Sequence, residues 1–240
     1  MKFTYKAYVE MINLLRENGY EFSDYKSDGK YDKCVILRHD IDTSLDKALE
    51  MAQIEYENNV KSTYFALLST SFYNMAERNS RDKLLRIRNL GHDVGLHFDE
   101  LNYTDDIDVE DKIIQEAEIM SELLGFKVDS VSMHRPSKKT LNADYSLRGQ
   151  LINSYGQRFF KGYKYVSDSR RRWREDVTSI IQSNEYSKLH ILTHAFWYNE
   201  KEKTIEESIR AFVTNATIDR YNSLAENITD LESIISKPIL

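Results

Sequence analysis

Cys34-Val35-Ile36-Leu37-Arg38-His39-Asp40-Ile41-Asp42-Thr43 decides how the rest of the chain is read. The apolar run at 34–37 is short enough for one buried strand. A cation, an imidazole and two carboxylates follow it. Over 43–58, Leu45, Ala48, Leu49, Ala52 and Tyr56 then recur at helical spacing. Thr43 with Asp46 resembles a capping box at the head of that helix. Strand, polar turn and helix in that order make the unit of a parallel α/β fold.

The alternation extends to both sides. Strands are predicted over 63–68, 93–96, 128–133, 163–166 and 189–193. Helices are predicted over 5–18, 82–89, 109–124, 205–213 and 218–235. Gly19 and Gly125 stand where the helices over 5–18 and 109–124 stop, and glycine can supply the left-handed residue of a helix end. The chain has 240 residues, 41% of them hydrophobic and 30% charged. With no linker or repeat, this suits a single domain over 1–240, with the helix at 5–18 and the C-terminal helices packed on it.

The net charge of −6 argues against nucleic-acid binding, which needs a basic face. The single cysteine, Cys34, excludes an intrachain disulfide and a thiolate metal cluster, and reads as a small core residue. No uncharged stretch approaches the ~20 residues of a membrane span. The first residues lack the apolar centre of a signal peptide, so a cytoplasmic location is expected.

Histidine placement carries the functional signal. His39, His97, His134 and His194 are each expected just past the end of a strand. Asp40, Asp42, Asp99 and Asp168 share those positions. In parallel β/α architectures the strand ends gather on one face, where active sites are built. Imidazoles and carboxylates together suit a borderline divalent cation. His190 lies inside its strand and His92 at a strand start, so both read as structural.

From Arg38-His39-Asp40-Ile41-Asp42 onward the sequence resembles the polysaccharide deacetylase (NodB-homology) family, in the subgroup whose first motif reads His-Asp-x-Asp. The resemblance runs through Ser62-Thr63-Tyr64-Phe65 and Gly91-His92-Asp93-Val94-Gly95-Leu96-His97. It continues at His134-Arg135-Pro136, at Asp168 with Trp173, and at Leu192-Thr193-His194, and so spans roughly 33–197. It implies an irregular (β/α) barrel of about seven strands. It also implies hydrolysis of acetyl groups on sugars with one divalent metal ion, zinc first and cobalt, nickel, manganese or iron as alternatives. By resemblance, Asp40 is the general base and Arg135 holds its carboxylate. Asp42 and His97 are metal ligands, and Asp168 orients His194, the general acid. The family's second metal-binding histidine falls on Leu101. Asp99 is the first substitute for it and His134 the second. The roles of Asp40 and Asp42 are open to exchange.

These residue types fit the chemistry. A bound cation polarises an amide carbonyl and acidifies water, a carboxylate takes the proton, and a histidine beside a carboxylate returns one to the leaving amine. Trp197 and Trp173 are candidates for stacking on sugar rings. Arg172, within Arg170-Arg171-Arg172-Trp173-Arg174, is the candidate contact for a nucleotide- or lipid-linked saccharide. Two other readings compete: an inactive carbohydrate-binding homologue, and a metal-dependent amidase acting on non-sugar C–N bonds.

Overall fold

Strand β2 (Cys34–Ile41) is buried along its whole length. The computed structural model of the chain describes residues 1–104 and 107–238 and divides into two units, 1–200 and 201–240. In the first unit, β1 (Glu21–Ser23), β3 (Thr63–Ala66), β4 (Asp93–Asp99), β5 (Ser130–His134), β6 (Ile152–Asn153), β7 (Lys164–Ser167) and β8 (Lys188–Thr193) complete an eight-stranded sheet. The order is β6-β5-β4-β3-β2-β8-β7, with β1 pairing on β2, and every pairing is parallel. This is the irregular barrel-like sheet expected from the sequence.

Helices α1 (Tyr5–Glu17), α2 (Leu45–Glu57), α3 (Arg78–Asn89) and α4 (Val109–Leu124) are the longer helices of this unit; α5 (Lys138–Ala143), α6 (Gln157–Phe160) and α7 (Val177–Ser183) are short. One apolar cluster joins α2, α3 and α4 to β3, β4 and β5; a second joins α1 and α7 to β2 and β8. The α4 helix starts at Asp108, whose carboxylate accepts from the Asp111 N–H, and stops at Gly125 with φ of 72°.

Several boundaries differ from the sequence reading, for physical reasons. Four further residues extend β2 beyond Leu37, so His39 lies within the strand. Their charge disguises them, but the charges are paired and buried. The same holds for β4, which runs on to Asp99 and carries His97 inside it. The cap of α2 is Ser44, which accepts from the Lys47 N–H at 3.3 Å; the expected Thr43–Asp46 box does not form. In the second unit, the helices predicted over 205–213 and 218–235 are one continuous α8 (Ile205–Ala225) followed by a short α9 (Leu231–Ile234). Neither glycine nor proline interrupts 214–217, so nothing there breaks the helix. No helix among the described residues is long and apolar enough to cross a membrane.

Candidate active site

Alternation along β2 sends Arg38 and Asp40 to one side and His39 to the other. Arg38 is wholly buried, and Asp40 is 6% exposed. The guanidinium grips the Asp40 carboxylate with two parallel bonds, Nε to Oδ1 at 2.8 Å and Nη2 to Oδ2 at 2.7 Å. Tyr155 lies under the guanidinium at 4.7 Å. Burial alone would raise the Asp40 pKa, but the charge of Arg38 outweighs it and holds the carboxyl at about 2.

Asp42, just beyond β2, meets two histidines from neighbouring strands. His97 Nε2 from β4 is 3.1 Å from Asp42 Oδ1, and His134 Nδ1 from the end of β5 is 3.2 Å from the same oxygen. The two imidazole nitrogens are 3.2 Å apart. The Asp42 carboxyl is raised by burial but lowered more by its hydrogen bonds to His134 and His97, and ends far below the usual carboxylate range. His97 Nδ1 pairs with Ser132 Oγ at 2.6 Å, and Ser132 in turn donates to Asp40 Oδ1 at 3.3 Å. With Nδ1 turned to Ser132, His97 presents Nε2 to the cluster.

Two nitrogens and one carboxylate oxygen thus converge within reach of one ion. Three protein ligands with an open position match the donor set of catalytic zinc sites. The residues fit a divalent cation.

His194, just past β8, faces the cluster from the far side. Its Nδ1 is 2.6 Å from Asp168 Oδ1, its backbone N–H donates to Asp168, and Tyr198 donates to Oδ2 of the same carboxylate at 3.2 Å. Its Nε2 lies 3.8 Å from Asp42 Oδ2. Burial lowers the His194 pKa, but Asp168 outweighs it and lifts the imidazole to about 9.

Three sequence expectations need correction here. Arg135 does not hold Asp40. It sits in left-handed backbone (φ 48°), with most of its side chain exposed, and donates to Asp99. Arg38, two residues before Asp40 on the same strand, does the holding. Asp99 stands outside the three-residue group: one oxygen accepts from the Leu101 N–H and the other takes Arg135. His39 is not at the site, because its side chain points toward α2. Trp197 and Trp173 are partly buried against the apolar cluster around α1 and β8. Arg172 is exposed on the loop after Asp168. Cys34, His92 and His190 are all buried.

No protein-family model matches the sequence, and no curated protein matches it. Solved structures do. A Streptococcus mutans CE4 esterase aligns over 87% of this chain and 90% of its own, at 15% identity and a TM-score of 0.50. The catalytic domain of a peptidoglycan N-acetylglucosamine deacetylase from Eubacterium rectale aligns over 83% and 90%, at 17% identity and a TM-score of 0.47. A family 4 carbohydrate esterase from Bacillus anthracis aligns over 84% and 81%, at 18% identity and a TM-score of 0.43. The first of these likenesses gives the fold: the chain has the NodB-type barrel fold of CE4 esterases.

Proposed function

We propose that this chain is a metal-dependent deacetylase acting on an N-acetylated amino sugar. The observation that carries the reading is the placement of Asp40. A carboxylate held ionised by Arg38 stands 3.7 Å from His97 of the Asp42–His97–His134 group. An imidazole held protonated by Asp168 faces that group from across the site.

Asp42, His97 and His134 would hold the cation, for which zinc suits the two nitrogens and one oxygen. When bound, the ion supplies Lewis acidity toward an acyl carbonyl and toward water. Asp40 takes the proton of the attacking water. Arg38 keeps Asp40 ionised and fixes its plane. His194 keeps Nδ1–H on Asp168, so its Nε2–H is the proton available to the departing amine. The sugar amine leaves as the acetyl carbonyl becomes acetate. The exposed Arg172 supports the finer proposal that the sugar carries a phosphate group.

The test is acetate release by the zinc-loaded protein from a panel of N-acetylated amino sugars, free and phosphate-linked, with small non-sugar amides alongside. Sugar substrates should turn over, and Asp40→Asn should lower kcat about 100-fold or more. Turnover of the small amides alone, or an Asp40→Asn variant as active as the parent, would refute the proposal.

A further inference from the structure

The helix-facing side of β2 buries a second set of polar groups. Glu55 of α2 is wholly buried and takes four donors. The Tyr8 hydroxyl and the His39 Nε2–H donate to Oε1 at 2.6 and 2.9 Å. The Ser62 and Tyr64 hydroxyls donate to Oε2 at 2.5 and 2.7 Å. The His39 ring also stacks on Tyr64, with centroids 4.4 Å apart. With Nε2 committed to Glu55, the Nδ1 of His39 lies 2.7 Å from Thr193 Oγ1. His39 and Thr193 are register partners of β2 and β8. The residue after His39 is Asp40, and the residue after Thr193 is His194.

Stability alone does not account for this arrangement. Apolar residues of similar volume in place of a buried charged pair are often neutral or stabilising. What a fully satisfied polar chain adds is direction. It spans the seam between the strand that carries Asp40 and Asp42 and the strand that delivers His194.

We infer that Glu55, His39 and Thr193 form a positioning chain that sets the ends of β2 and β8 relative to each other, so that His194 and the cation-holding group face across one site. The inference rests on the proposed function, because it takes Asp42 as a cation ligand and His194 as the acid. None of the three touches substrate. They act through the backbone of the residues that do, and misplacement of a reacting group by about 1 Å can cost on the order of 100-fold in rate.

Thr193→Val keeps the side-chain volume and removes the hydroxyl; Thr193→Ser keeps the hydroxyl. Zinc affinity, by competition with a chromophoric chelator, and steady-state kinetics are measured on both. Thr193→Val should lose about 10-fold or more in zinc affinity and in kcat, with KM within about twofold. Thr193→Ser should stay near the parent. Ile87→Val trims a buried core residue of α3, a helix that carries none of the site residues. It should lower Tm and leave zinc affinity and kcat unchanged. The inference is overturned if Thr193→Val keeps both quantities, or if Ile87→Val loses them in step with its Tm. Should Thr193→Val fail to fold, Thr193→Ala takes its place under the same criteria. A parent that binds zinc yet deacetylates no member of the panel removes the proposed function. The zinc-affinity comparison then decides the positioning chain by itself.

Discussion

At the scale of single residues, the pairing of Arg38 with Asp40 governs the site. A buried guanidinium is tolerated when its donors are used, and here Nε and Nη2 go to Asp40 while Nη1 reaches Ser154 Oγ at 3.3 Å. Removing one partner leaves an unpaired buried charge, at a cost of about 3–5 kcal/mol. Arg38→Met should therefore lose stability of that order in urea denaturation. Arg38→Met with Asp40→Asn should lose less than the sum of the two single changes. Strict additivity would mean that the two groups do not depend on each other. Arg38→Met should also free Asp40 from the charge that holds it at about 2. With His97 and His194 alone left to oppose burial, its pKa rises, and activity that needs the ionised form fails at higher pH on the acid limb. Asp40, Asp42, His97, His134, His194 and Asp168 are all visible in the sequence, as acids and imidazoles at strand ends. Arg38 was equally visible. Two residues apart on a strand, it must share a face with Asp40, whereas Arg135 follows a strand end and its direction depends on a left-handed backbone that no spacing reveals.

At the scale of elements, β4 delivers His97 and is held close to its neighbours. Gly95 stands beside Phe65 of β3 in the register. A Cβ there would lie 2.5 Å from the Phe65 ring and 2.7 Å from Ser130 Oγ of β5. Gly95→Ala should therefore force β3 and β5 apart and destabilise the fold by about 1–3 kcal/mol. Adding Phe65→Leu should recover part of the loss. A Gly95→Ala protein with an unchanged urea midpoint would show that the sheet yields there without strain. Strands and helices with continuous apolar signal, such as α4 and β8, are legible from periodicity alone. The three residues of β1 and the two of β6 carry too little pattern to be read. The second half of β2 is hidden for the opposite reason, because paired charges in a buried strand look like a loop.

At the scale of the molecule, buried ionisable groups set how stability responds to acid. His190 is wholly buried, and the Tyr25 hydroxyl lies 2.7 Å from its Nε2. Burial, reinforced by the charge of Arg38, pushes its pKa down to about 3. Glu55 is raised by burial but lowered more by His39, and ends at about 2. Both folded values lie below the unfolded ones, so the folded state binds fewer protons and stability falls as pH falls. The His190 contribution is complete above its ordinary value of 6.5 and drains away as pH drops toward 3. The Glu55 contribution is complete above 4.5 and drains toward 2. Glu116 runs the other way. Burial lifts it to about 7, against a lowering bond from Tyr103, so its contribution is present below 4.5 and is lost as pH rises through 7. Between pH 4.5 and 6.5 the His190 and Glu116 contributions change in opposite directions, so urea midpoints measured from pH 8 to pH 4 should be nearly level there and fall off above and below. His190→Gln keeps a polar partner for Tyr25 and cannot be charged by acid, so it should lessen the fall below pH 4.5. Glu116→Gln should do the same on the alkaline side, raising stability at pH 8 relative to the parent and not at pH 4. A His190→Gln protein whose acid limb matches the parent's would place the acid sensitivity elsewhere in the chain.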